Sequence, residues 1–193
     1  RKEFFLESPT HIPLNNAGLS LIPKVTQKKM NELIHLSATD GAYSSTVMFQ
    51  EWIDSKNTLA HFVGAKNTEV AWTANCSSAL SFVANGFQNQ DQEEIVIFEN
   101  DYPANFYPWV DRDKRNKSVL KIVPIENDLS RPVEKVINHI TSKTKIVALS
   151  HIQSDCGYLM DISPVAEAAH KVGAILVVDV IQSAGIFPLS FAN

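Results

Sequence analysis

The chain has 193 residues, 45% of them hydrophobic and 20% charged, enough to bury a sizeable core as one large domain or as one domain with a small appendage. A formal net charge of −4 offers no basic field for nucleic acid, and the one dense basic run, DRDKRNK at 111–117, includes two acidic residues and reads as a solvated helix end and turn. No apolar run approaches bilayer length, and the two cysteines, Cys76 and Cys156, give neither a disulfide framework nor a zinc-site spacing, so a cytoplasmic chain with free thiols and no membrane partner is expected.

In chain order, a loop rich in Pro and Asn, SPTHIPLNNAGLSLIP, leads into two helical patterns, roughly 24–37 and 47–63, separated by Gly41 and the serines at 44 and 45. From residue 69 onward short β-branched runs alternate with amphipathic stretches. EVAWTAN, EEIVIFEN, SVLKIVPIE, TKIVALSHI and AILVVDVI, beginning at 69, 93, 118, 144 and 174, are predicted strands at intervals suited to βα units. Between them CSSALSFVANGF, PANFYPWVDRDK, RPVEKVINHI and SPVAEAAHKVG are predicted helices, the last two with Pro near the start, where its missing N–H is harmless. The pattern is α/β and doubly wound, a mostly parallel sheet with helices on both faces. TKIVALSHI and AILVVDVI are nearly continuous apolar runs, as expected of parallel strands covered on both sides, and AILVVDVI is read as a central strand. After it the chain runs SAGIFPLSFAN with no helix to cover that strand, so a carboxyl-terminally truncated domain is expected.

Ligands of open α/β sheets sit outside the carboxyl ends of the strands. In TANCSSALSF the free amides of a first helical turn and the hydroxyls of Ser77 and Ser78 would suit a phosphate, or the serines would simply cap the helix. Tyr102, followed by Pro103, could lie flat on a heteroaromatic ring or be a core aromatic beside a turn. In SHIQSDCGYLMDI, Gln153 and Ser154 could aim a donor at a ligand and His151 could pair with a charge, while Asp155 and Gly157 suit a turn. Asp179 is the sharpest feature: it interrupts the run AILVV-D-V, where burial penalises an isolated carboxylate by several kcal/mol, so it requires a cationic or strongly donating partner. It could bind a metal, cap a loop or hold a protonated ring nitrogen.

LNNAGLSLIP, TANCSSAL, DYPANFYPW, SHIQSDCGYLMDI and VVDVIQSAGIFP together resemble the class V aminotransferases of the fold-type I pyridoxal-phosphate (PLP) enzymes, in the order and spacing of that family. Cysteine desulfurases, selenocysteine lyases, kynureninases and isopenicillin N epimerase-like proteins belong to it. The resemblance implies the amino-terminal part of a PLP-dependent transferase large domain, with residues 1–40 as a substrate-side loop and helix and 41–193 as an incomplete PLP-binding domain. It implies that Asp179 bonds the pyridine nitrogen of the cofactor and Gln182 its phenolic oxygen. Cys76, through its backbone N–H rather than its thiol, and Ser77 would hold the phosphate. Tyr102 occupies the ring-stacking position, where desulfurases have His and kynureninases Phe, and Ser154 stands where desulfurases commonly carry asparagine. Asn16, Ala17 and Gly18, with Asn15, resemble the loop lining the substrate side.

In the family the Schiff-base lysine follows the aspartate by on the order of two dozen residues, so the resemblance places it beyond Asn193 and assigns this chain no catalytic residue of its own. The resemblance further implies a homodimer acting on a small amino acid. A cysteine desulfurase-like or class V aminotransferase activity is the leading expectation for the full-length protein, with the chain as given inactive. A kynureninase- or epimerase-like enzyme and a catalytically silent or regulatory relative are the alternatives. A nucleotide-binding domain is disfavoured, since no G-x-G-x-x-G or P-loop pattern follows any strand.

Overall fold

A computed structural model describes residues 13–87, 92–116, 118–124 and 132–188. The chain groups into two compact units, divided between Trp72 and Thr73. In the amino-terminal unit helix α1 spans Lys24–Asp40 and α2 spans Ser44–Val63, joined by a short 3-10 turn at Gly41–Tyr43. Gly64 closes α2 at φ 69°, a left-handed conformation that glycine adopts without steric penalty. An ion pair joins the two helices, Lys29 Nζ to Glu51 Oε1 at 2.6 Å.

The second unit, Thr73–Phe187, carries four strands: β1 Glu94–Phe98, β2 Val119–Val123, β3 Thr144–Ser150 and β4 Ile175–Asp179. They form one sheet in the order β2-β1-β3-β4, every pairing parallel. Helix α3 (Cys76–Gly86) leads into β1, and α4 (Pro103–Asn116), α5 (Pro132–His139) and α6 (Ile162–Lys171) connect the strands. Strand side chains alternate between faces, so one run of apolar residues feeds two cores. Ile95 and Ile97 of β1 and Ile146 and Ala148 of β3 pack with Ala84 of α3 and Trp109 of α4. Their neighbours Val96, Phe98, Val147 and Leu149 pack on the opposite face with Val136 of α5 and Val165 and Ala169 of α6. Helices therefore cover both faces, as the continuous apolar runs require.

Three expectations need correction. EVAWTAN is not a strand: Val70 and Asn75 have extended backbone, but the segment pairs with no strand among the described residues. Strand propensity makes the chain extended, and only a neighbouring ladder makes it a strand. AILVVDVI, read as central, pairs with β3 alone among the described residues, and β4 is accordingly exposed at Ile175, half-buried over residues 176–178 and buried only at Asp179. Arg112, in the run expected to be solvated, is 1% exposed. Its guanidinium donates to the carbonyls of Ala84 and Phe87 and lies 5.8 Å from the Phe87 ring. These are carbonyls at the end of α3, where a helix leaves acceptors without intrahelical partners, so the arginine acts as a buried C-terminal cap.

Candidate functional site

Asp101, Asn105, Ser150, Gln153, Asp179 and Ser183, all buried, gather at the carboxyl ends of β1, β3 and β4, because each strand there hands over from apolar residues to a turn, while Glu94 pairs with Lys121, Thr141 and Thr144 at the amino ends. Asp179 ends β4 and is 5% exposed. Its Oδ1 accepts the Ile181 N–H at 2.9 Å and its Oδ2 accepts the Cys76 thiol at 3.3 Å. Both donors are neutral, and a carboxylate offers about four acceptor positions. The buried charge is therefore only partly compensated, the condition in which a cationic partner is most favourable.

The thiol brings the first turn of α3 onto the aspartate. Asn75, not a serine, is the N-cap: its Oδ1 accepts the Ser78 N–H at 2.8 Å, and its carbonyl accepts the Ala79 N–H at 3.1 Å. This leaves the amides of Cys76 and Ser77 as the first-turn donors outside the intrahelical ladder. Ser77 is exposed and Cys76 half-buried. Burial pushes the Cys76 thiol up to about 12, with the Asp179 charge and hydrogen bond adding to it. Cys76 is thus held as a protonated thiol that donates to Asp179 rather than as a nucleophile. With iodoacetamide at pH 8, the exposed Cys156 is expected to alkylate first, while Cys76 reacts only when the chain is unfolded. Peptide mass mapping reads the order, and early modification of Cys76 would show that its thiol is not held by Asp179.

Tyr102 directly precedes α4, and its side chain is 51% exposed. Its backbone N–H donates to Asp101 Oδ1 at 2.7 Å. Asp101 itself is 6% exposed, and in the sequence it reads as one more polar residue of the turn Glu99-Asn100-Asp101. Burial pushes its carboxyl up, the hydrogen bonds from Ser150 and Tyr102 oppose this, and the Asp179 charge adds to the rise. The signal that could have found it is an i, i+4 ladder from Asp101 to Asn105 to Trp109, where Asn105 Nδ2 donates to Asp101 Oδ2 at 3.1 Å and Trp109 Nε1 to Asn105 Oδ1 at 3.3 Å.

After β3, His151 pairs with a hydroxyl and not with a charge: its Nδ1 lies 2.9 Å from Oγ of the fully buried Ser183, and burial pulls the imidazole below its ordinary value. The His151 N–H also donates to the Asp179 carbonyl at 2.9 Å, tying the two turns together. Gln153, 1% exposed, donates through Nε2 to the Ser150 carbonyl at 3.3 Å, and its Oε1 has no hydrogen-bond partner among the described residues. Ser154 is exposed in the following turn, and Gln182 is half-buried in the turn after β4. Of the predicted cofactor residues, the structure joins Cys76 and Asp179 directly, while Ser77, Ser154 and Gln182 share this edge without a hydrogen bond to them among the described residues.

Asn16, Ala17 and Gly18 belong to the amino-terminal unit. There Asn15 Oδ1 accepts the Gly18 N–H at 2.9 Å, and a Cβ at Gly18 would meet the Asn15 side chain at 2.7 Å, so the turn is closed around glycine. No cluster of three or more His, Cys, Asp or Glu that could hold a metal occurs among the described residues. No described helix is long and apolar enough to cross a membrane.

The sequence model of the family described as Aminotransferase class-V matches residues 12–193. A relative from Methanothermobacter thermautotrophicus named "Probable cysteine desulfurase" is 26% identical over 179 residues, covering 91% of this chain and 44% of the relative. Among solved structures, the C-DES variant with glycine covalently linked to its PLP cofactor superposes with a TM-score of 0.88 at 19% identity, over 95% of this chain and 50% of that one. The apo cysteine desulfurase of Thermococcus onnurineus NA1 superposes with a TM-score of 0.77 at 25% identity, over 91% and 45% of the two chains. The chain spans less than half the length of the curated relatives it matches.

Proposed function

Since the chain belongs to the class-V aminotransferase family, we propose that it holds PLP at the carboxyl edge of its sheet and that the protein acts on an amino acid in the manner of a cysteine desulfurase. One observation carries the reading: a buried aspartate, partly compensated, touches the first turn of a helix through Cys76. A protonated heteroaromatic nitrogen satisfies the aspartate, and a phosphate on the same molecule satisfies the amides of that turn. The cysteine desulfurase names of the Methanothermobacter relative and of the Thermococcus structure support the same reading.

Bound PLP supplies an electron sink for bond breaking at the substrate α-carbon. The chain's own groups do the rest of the work at this edge. Asp179 accepts the ring N–H and, by keeping its negative charge close, holds that proton in place. The Cys76 thiol fixes the carboxylate's orientation, and the Cys76 and Ser77 amides receive the phosphate. Tyr102, with half its side chain exposed, is free to lie on the ring. Gln182 donates to the phenolic oxygen, and Ser154 lines the same side. Residues 1–40, with Asn16, Ala17 and Gly18, form the substrate side, and 41–193 the cofactor side. The protein is cytoplasmic and a homodimer in this reading.

Lys145 lies at the start of β3 and Lys171 at the end of α6, just ahead of β4, at the opposite end of the strands from Asp179. Neither is placed to serve a cofactor at the carboxyl edge. Titration of the protein with PLP, followed by absorbance and tryptophan quenching, tests the reading. Saturable binding at one PLP per chain is expected, and a protein indifferent to PLP would overturn it.

A further inference from the structure

Asp101 makes more hydrogen bonds than the cofactor contacts proposed above explain. Each of its oxygens takes two donors. Oδ1 accepts the Tyr102 N–H at 2.7 Å and the Ser150 hydroxyl at 2.5 Å. Oδ2 accepts the Ser150 N–H at 2.8 Å and Asn105 Nδ2 at 3.1 Å. In one buried side chain it therefore joins the end of β1, the end of β3 and the first turn of α4. Two of these partners bear on the proposed site. Tyr102 is the residue assigned to the cofactor ring, and Ser150 is the register partner of Asp179 in the β3–β4 ladder. Since β3 lies between β1 and β4, the links run from Asp101 through Ser150 to Asp179 across the carboxyl edge.

We propose that Asp101 is a positioning residue for the cofactor site, its carboxylate locking Tyr102 and the Ser150–Asp179 pair into one rigid edge. The inference rests on the PLP reading. Asparagine at 101 would keep the shape but replace one carboxylate oxygen by an N–H₂, and either placement sets that N–H₂ against a backbone N–H, of Tyr102 or of Ser150, so that bond is lost and replaced by repulsion while the Ser150 hydroxyl can turn to accept. Tyr102 would then be free to leave the orientation that stacking requires. An aspartate that only stabilised the fold would change the melting temperature without changing how a bound ring is held.

The test is a PLP titration of the wild-type protein, Asp101→Asn, Ser150→Ala, Tyr102→Ala and the double variant Asp101→Asn/Tyr102→Ala. Dissociation constants come from absorbance and tryptophan quenching, the induced circular dichroism of bound PLP reports ring orientation, and far-UV circular dichroism reports folding. Asp101→Asn is expected to weaken binding by about tenfold and to change the induced signal, and Ser150→Ala by about threefold. On the Tyr102→Ala background the Asp101→Asn change is expected to add less than about twofold, because its target is gone. Wild-type affinity and an unchanged induced signal in Asp101→Asn and in Ser150→Ala would overturn the inference, as would full additivity in the double variant. If Asp101→Asn fails to fold, Ser150→Ala decides alone, since it removes only the hydroxyl bond and leaves the backbone one. Failure of the wild-type protein to bind PLP would instead defeat the underlying reading, and this inference with it.

Discussion

Asp179→Asn is expected to weaken PLP binding by about 100-fold while leaving the fold intact. The carboxylate is 5% exposed and touches only an amide N–H and a thiol, so no cation in the described structure neutralises it. A charge-assisted bond to a protonated ring nitrogen in such a place is worth roughly 3 kcal/mol, near the upper range for hydrogen bonds to charged groups, and each 1.4 kcal/mol is about tenfold in affinity. Asparagine keeps the oxygen that accepts Ile181 N–H and removes the charge. It should also relieve Cys76, whose thiol is held protonated by burial and by that charge, so Cys76 alkylation at pH 8 should quicken in the same variant. Two independent readouts thus move together. Wild-type PLP affinity in Asp179→Asn, with folding confirmed by circular dichroism, would show that the aspartate is a structural residue with no part in holding the cofactor.

How much of this was legible beforehand depends on the kind of signal each residue leaves. The strands from 93 onward were visible because parallel strands covered on both faces must be apolar at every position, and Ile95 to Phe98 serve two separate cores by alternation. Asp179 was visible for the converse reason: a charge inside such a run has no cheap explanation. EVAWTAN misled because propensity is local whereas a strand requires a neighbour, and no partner for it lies among the described residues. Arg112 misled because charge density along a sequence says nothing about which side of a helix a residue occupies. It is one residue of a charged run, and it faces the carbonyls of α3. The Cys76–Asp179 contact spans 103 positions and has no local signature at all. Motif resemblance assigned both residues to one cofactor, but through the amide of Cys76, and only the structure puts the thiol on the carboxylate. Asp101 lay between these cases: its i, i+4 ladder with Asn105 and Trp109 was present in the sequence, obscured by the polar turn around it.

That ladder ends on the largest fully buried side chain, and Trp109→Ala should be the most destabilising single change in the second unit, by about 3–5 kcal/mol. Trp109 is 0% exposed and packs against Ile95, Ile97, Ile146 and Ala148 of the two central strands, with Ala84 of α3 beside them. Its removal opens a cavity that five backbone-anchored residues cannot collapse to fill, and it leaves Asn105 Oδ1 without its indole donor. Trp109→Phe should cost less, about 1–2 kcal/mol, because most of the packing survives and only the N–H is lost. Tyr107 is the internal control: two residues away on the same helix but 64% exposed, it should change stability by less than about 0.5 kcal/mol when replaced by alanine. Urea unfolding followed by far-UV circular dichroism gives the comparison, with the slope checked for constancy so that midpoints can be read as free energies. Equal midpoints for Trp109→Ala and Tyr107→Ala would mean that α4 is not held to the sheet by this residue. The expected inequality carries a consequence for the site, since Asn105 donates to Asp101, and Asp101 holds Tyr102. A loosened α4 should therefore weaken PLP binding in Trp109→Phe even where the fold persists, so the aromatic core and the carboxyl edge are one mechanical unit.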